Sequence, residues 1–262
     1  MYDSSFGWRF VNPRMKEQYG VDAMGETAEN LAEQFSISRE AQDEFALRSQ
    51  HNYETARKQG YFQDEIVSVE IPSKKGPSTF FAADEFPKPA SNMESLSSLK
   101  AAFRKNGTVT AGNASGLNDG SVALLIAGEK AVSDYSLKPL ARIVAAAASG
   151  VAPRVMGIGP VEASLKALQN AGLTLSQMDL IELNEAFAAQ VLSCLKQWGL
   201  SAGDPRVNPV GGAIAMGHPL GMSGGRILLT AARQLQLSGK RYALVTMCVG
   251  VGQGYAVIIE RV

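Results

Sequence analysis

Three short segments carry residue types that could do chemistry. The first is Asn184-Glu185-Ala186-Phe187-Ala188-Ala189, which directly follows the apolar run Asp179–Leu183. Asn184 suits a helix N-cap, and spacing alone favours that role. The same amide could instead hold a water or an oxyanion. The second segment runs from Gly211 to Gly221 and contains Gly217-His218-Pro219. A lone loop histidine is more often structural than catalytic, but glycines here let backbone and ligand approach closely. A helix N-terminus just beyond would disfavour the imidazolium and leave a neutral ring able to donate N–H, as an oxyanion donor must. The third is Cys248-Val249-Gly250-Val251-Gly252-Gln253-Gly254. Cys248 could be a small buried hydrophobe. Its place at a strand end before three glycines makes an exposed thiol in a tight turn the competing expectation. A dinucleotide loop is rejected, since such a loop opens a helix and this run leads into Tyr-Ala-Val-Ile-Ile.

Other candidates carry less. Cys194 falls inside a helical pattern and reads as core, whereas His51 sits in a polar helix and reads as exposed. Asn113-Ala114-Ser115 spells a glycosylation sequon, which has no use in a cytoplasmic chain. Two cysteines and two histidines, without CxxC or HxxxH spacing, give a structural zinc site or a disulfide framework too little to draw on.

The elements that must position these segments follow from periodicity. Met24, Ala28, Leu31 and Phe35 recur at helical spacing. Ser38 is a good N-cap, with Glu40 in the first turn, for a helix expected to reach Lys58 and stop at Gly60. Glu65–Ile71 reads as a strand, and Lys-Lys-Gly-Pro-Ser and Phe-Pro-Lys-Pro-Ala-Ser as loops. Further on, candidate strands are Val122–Ala127, Ala141–Ala147, Asp179–Leu183, Tyr242–Met247 and Tyr255–Ile259. Candidate helices are Val161–Asn170, Glu185–Trp198 and Leu220–Leu237. The alternation argues for a layered α/β domain, and the last two strands, joined by a Gly-rich turn, for an antiparallel hairpin in a mixed sheet.

Composition sets the outer limits. Across 262 residues, 25 Lys+Arg balance 25 Asp+Glu, so bulk charge gives no reason to expect a nucleic-acid or membrane-surface partner. No apolar run reaches transmembrane length and the start lacks a signal-peptide layout, so a cytoplasmic location is expected.

In this order and near these separations, the three segments resemble those of thiolases, and Thr110-Ala111-Gly112-Asn113-Ala114-Ser115-Gly116-Leu117-Asn118-Asp119-Gly120 matches the same family. The similarity covers essentially the whole chain. It implies a thiolase-like α/β fold with a mixed five-stranded sheet, preceded by a mostly helical domain. Residues 1–104 would be a loop domain lying over CoA, 105–135 the last strand region of an N-terminal catalytic domain, and 138–262 a C-terminal catalytic domain. By the same resemblance, His218 and a water held by Asn184 form an oxyanion hole, Cys248 is the acid/base, and the Gly250 N–H belongs to a second hole. Ser115 and Ala111 would line the pantetheine channel, with Phe187 near the acyl group and Met24 in the pocket. Beside Met24, family members often have a histidine where this chain has Ala23, and Lys88 stands where an arginine often stacks on adenine.

The segment Gly7-Trp8-Arg9-Phe10-Val11-Asn12-Pro13 resembles the thiolases of aromatic-compound breakdown, which cleave 3-oxoadipyl-CoA to succinyl-CoA and acetyl-CoA. Coenzyme A thioesters are expected as substrates, with no separate cofactor. The family's acyl-accepting cysteine lies in an N-terminal half that this chain does not contain, and Cys194 lacks its surroundings. The expectation is therefore a truncated or split product, or part of a larger polypeptide, inactive alone. It would act as a homo-oligomer or with a partner supplying the missing half. A non-catalytic acyl-CoA-binding or scaffold remnant is the alternative. The condensing enzymes of fatty-acid synthesis, which share the architecture, rank below both.

Overall fold

The structure, a computed structural model, describes residues 10–262. The residues Gly7, Trp8 and Arg9 of the substrate-related segment lie outside that range. The first part is helical. Helix α1 spans Pro13–Tyr19, α2 Met24–Gln34 and α3 Arg39–Lys58. The Ser38 side chain accepts from the Ala41 N–H, as a cap should, and Gly60 follows with positive φ. A small antiparallel ribbon, β1 (Val69–Ile71) with β2 (Thr79–Phe81), comes next, then α4 (Met93–Ser97). The strand expected over Glu65–Ile71 is thus only its last three residues. Glu65 is held in a turn instead, paired with Arg233.

Helix α5 (Glu129–Asp134) precedes the main sheet of β3 (Ala141–Gly150), β4 (Leu180–Leu183), β5 (Tyr242–Val249) and β6 (Gln253–Arg261). Its order is β3-β6-β5-β4, antiparallel except for the parallel pair β4–β5. The expected hairpin of the last two strands is present. The expected fifth strand, Val122–Ala127, forms no ladder, so the sheet has four strands among the described residues, not five. Among the described residues nothing pairs with that segment's backbone, and Leu125 and Ile126 remain 81% and 67% exposed. The free edge of β4 is covered by a short parallel bridge between Ile181 and Val207.

Strand alternation divides the core between two faces. Ile181, Leu183, Leu244, Ala256 and Ile258 pack with α6 (Gly159–Ala171) and α7 (Ala188–Trp198). Leu180, Ala243, Val245 and Ile259 pack on the other face against Ile227, Ala231 and Leu235 of α9 (Ser223–Ser238), which follows the single-turn α8 (Ala213–Met216). Helix α7 starts three residues later than the sequence pattern suggests. The residues just before it are held otherwise: Ala186 O accepts from both Ser115 N and Ser115 Oγ, and Phe187, in extended backbone, bridges to Ala114. Asn184 is therefore not the helix cap.

Candidate active site

Asn184 sits one residue beyond β4, where its N–H donates to Thr246 O and prolongs the parallel ladder. Its Nδ2 lies 3.3 Å from His218 Nε2. The residue is buried, and its Oδ1 has no hydrogen-bond partner among the described residues. A buried acceptor with no protein donor, beside an imidazole, suits a position that holds water or a ligand group. The loop bringing His218 here is fixed from several sides. His218 N donates to Gly116 O at 2.9 Å, and Arg226 Nη1 donates to Gly217 O at 2.9 Å.

The imidazole pKa is lowered to about 4, first by burial and then by the Arg226 charge. The neutral ring expected from the sequence is thus reached, with burial as the main cause rather than a helix dipole. Its Nδ1 lies 2.6 Å from Ser223 Oγ, which in turn lies 2.9 Å from Pro219 O. Ser223 has one proton to give. Donating it to Pro219 O makes Nδ1–H the donor and leaves Nε2 bare. Donating it to Nδ1 puts the proton on Nε2, the form that can donate to an oxyanion.

Cys248 lies at the same end of the neighbouring strand, since Leu183 pairs with Thr246 in the parallel register. It is not an exposed thiol in the turn. It is 6% exposed, still within β5, in an apolar cluster with Phe187, Ala186, Ala114 and Met156. Burial pushes its pKa up to about 12. Alternation turns it toward the α7 side, whereas Asn184, meeting His218, follows Leu183 on the other; what the two share is their place at the same ends of the neighbouring strands β4 and β5. Among the described residues no hydrogen bond joins them directly. Gly250 begins the turn after β5, where Gly252, at φ +88, comes so close to Val151 O that a Cβ would stand 2.1 Å away.

Ser115 is brought to this edge by its two bonds to Ala186 O. Phe187 meets Phe103 edge to face at 6.1 Å, and Phe103 covers Gly25, next to the half-exposed Met24 at the start of α2. Ala111 is exposed in the turn before Asn113. Lys88 stands apart. Its side chain is exposed, and its backbone N–H donates to Gln50 Oε1 at 2.9 Å. Cys194 is fully buried, and His51 is exposed. Among the described residues no three His, Cys, Asp or Glu side chains are grouped to hold a metal ion, and no helix is long and apolar enough to cross a membrane.

A buried charged layer near the pair belongs to none of the motif readings of the sequence. Glu182 and Glu185 are both buried. The Glu182 pKa is raised by burial to about 8, and that of Glu185 is raised by the same cause. The Arg226 charge acts on both in the opposite sense, but less than burial does. A signal was available, because two glutamates within four residues of an apolar strand end cannot both face solvent on a buried strand.

Two family models match the chain, one on each side of residues 131–136. The model of the thiolase N-terminal domain matches residues 9–130 and that of the thiolase C-terminal domain residues 137–261. The chain is 55% identical over 260 residues to a beta-ketoadipyl-CoA thiolase of Acinetobacter baylyi, covering 99% of this chain and 65% of that protein. It is 56% identical over 262 residues to the 3-oxoadipyl-CoA/3-oxo-5,6-dehydrosuberyl-CoA thiolase of Escherichia coli, covering 100% and 65%. The chain thus spans about 65% of the length of these relatives. Among solved structures, Bacillus anthracis acetyl-CoA acetyltransferase superposes with a TM-score of 0.89 at 41% identity, covering 100% of this chain and 66% of that one. Human mitochondrial 3-ketoacyl-CoA thiolase superposes with a TM-score of 0.84 at 45% identity, covering 91% and 59%.

Proposed function

The chain belongs to the thiolase family, and from that premise we propose that it supplies the oxyanion-binding and proton-transferring half of a thiolase-type acyltransferase, with 3-oxoadipyl-CoA as the substrate. The observation that carries the reading is the Asn184–His218 contact at the sheet edge, with the unpartnered Asn184 Oδ1 beside it. The substrate assignment rests on the names of the relatives and on the segment Gly7–Pro13.

In thiolysis a nucleophilic thiolate adds to the 3-oxo carbon, and the bond between C2 and C3 then breaks. Its electron pair passes to the thioester enolate of the departing acetyl-CoA. His218 Nε2–H and a water on Asn184 would hold that enolate oxygen. Cys248, kept as a thiol by burial, would give its proton to C2. The resulting thiolate would then take the proton of an incoming CoA thiol, whose sulfur displaces the acyl group from the nucleophile. The Gly250 N–H would face the oxygen of that acyl group. Ser115, Ala111 and Met24 would line the pantetheine path, with Lys88 outermost, toward the adenine end. The acyl-accepting cysteine would come from polypeptide outside these 262 residues, because Cys194 is fully buried inside α7. The reading carries with it a cytoplasmic setting, coenzyme A thioesters as the only small-molecule requirement, and a second copy or complementary polypeptide as partner.

Steady-state thiolysis of 3-oxoadipyl-CoA, followed as acetyl-CoA formed, tests this. The 262 residues alone should give no turnover. A supplied polypeptide bearing the acyl-accepting cysteine should restore it, and His218→Ala should cut the restored rate by about 10²–10³. Turnover by the isolated chain that Cys248→Ala abolishes would sink the assignment of the nucleophile.

A further inference from the structure

Glu185 takes no part in the chemistry above, yet it joins three segments that meet behind the Asn184–His218 pair. It is 1% exposed. Its Oε2 accepts from Ser49 Oγ of α3 at 2.6 Å and from the Ile214 N–H of α8 at 3.1 Å. Its Oε1 accepts from Asn208 Nδ2 at 2.8 Å. Asn208 in turn grips the end of β4. Its Oδ1 accepts from Leu183 N at 2.9 Å, and its Nδ2 donates to Leu183 O at 2.8 Å. Ser49 Oγ also accepts from Gly212 N at 3.1 Å.

We infer that Glu185, clamped by Asn208, is the positioning residue that sets Asn184 and His218 against each other. The inference rests on the oxyanion reading of that pair. Asn184 is its neighbour in the chain, just past the Leu183 that Asn208 grips. The Ile214 contact fixes the segment that reaches His218 four residues later. A buried carboxylate is weak evidence for stability, since well-packed apolar groups often do as well in its place. What it provides is direction. An ionised carboxylate only accepts, and three donors from separate segments converge on it.

The direction is enforced at Asn208. Its amide cannot be inverted without losing both bonds to Leu183, so it must present a donor to residue 185. Glutamine at 185 is nearly the same shape. With its oxygen kept on Ser49 and Ile214, its NH2 would face the Asn208 NH2, donor against donor. The Glu185→Gln change is therefore a mismatch of direction with little change of volume.

The chain contains only two histidines, His51 and His218, so long-range ¹H–¹⁵N spectra can separate them. In Glu185→Gln, both His218 ring nitrogens and the Asn184 side-chain amide should shift, while His51 and the far-ultraviolet dichroism stay as in the wild type. Ser49→Ala, which removes one of the three donors, should move the His218 signals in the same sense by less. A folded Glu185→Gln chain with His218 and Asn184 signals at their wild-type positions would overturn the inference, even if it melts earlier. Where Glu185→Gln does not fold, Ser49→Ala decides by the same comparison, and wild-type His218 signals there overturn it too. Adding acetyl-CoA to the wild-type chain examines the underlying reading separately. If His218 does not respond, that reading fails, while the effect of Glu185 on the pair is still measured.

Discussion

Replacing Gly212 by alanine would put a methyl carbon 2.2 Å from Glu185 Cδ and 2.5 Å from both of its carboxylate oxygens. The backbone there, at φ −143 and ψ −158, is open to any residue, so the cost is steric and not conformational. To reach an ordinary contact the carboxylate must withdraw by about 1 Å or more, given carbon contact distances of roughly 3.5–4 Å. Its bonds of 2.6, 2.8 and 3.1 Å cannot all survive such a move. Losing two of three hydrogen bonds to a buried charged group, at about 1.5–3 kcal/mol each, comes to about 3–6 kcal/mol. That is a large part of a total stability of about 5–15 kcal/mol. Urea unfolding should show the midpoint falling with little change of slope. Gly221→Ala is the matched control, because a Cβ there meets nothing within 4 Å, and it should change stability by no more than about 0.5 kcal/mol. A Gly212→Ala chain within about 1 kcal/mol of wild type, or no worse than Gly221→Ala, would show that the carboxylate is not held as described.

Three further outcomes are expected. Glu182, raised from 4.5 to about 8 by burial, binds more protons folded than unfolded, so its contribution to stability should fade as pH rises from about 4.5 through 8. In Glu182→Gln, denaturation midpoints taken across that window should lose this slope, and an unchanged slope would contradict the burial cause. His218 has the opposite sign. Its folded value of about 4 lies below the unfolded 6.5, so stability should fall as pH drops through that interval, and His218→Gln should remove that part of the loss. Neither cysteine should react with iodoacetamide at pH 8 in the native chain, because both are buried and burial raises both pKa values. Intact-mass spectra should show two additions in urea and none without it, and rapid native labelling of Cys248 would count against its burial.

What could be read from the sequence was mostly local. The Ser38 cap, the end of α3 before Gly60 and the β5–β6 hairpin all depend on residues within a few positions of each other. The misreadings came from distant partners. Asn184 has a cap's residue type and position, but Ser115 and Ala114, 71 and 73 positions from Ala186 and Phe187, hold those two residues out of the helix and delay it. Val122–Ala127 has a strand's composition, yet strand propensity means little without a neighbour to pair with. At the site, the three motif segments were visible as clusters of unusual residues. Glu185 was visible only as a letter within the first of them. Its meaning depends on Ser49 and Asn208, which lie 136 and 23 positions away, and no spacing rule connects them.

In the function proposed above, Asn184 and His218 receive a thioester oxygen. Acetyl-CoA labelled with ¹³C at the thioester carbonyl and bound to the chain reports on that oxygen directly. The bound carbonyl resonance should move downfield of the free one, as strong hydrogen bonding to the oxygen requires, and return toward the free position in both His218→Ala and Asn184→Ala. A bound resonance that neither substitution moves would place the thioester elsewhere and remove that role from both residues.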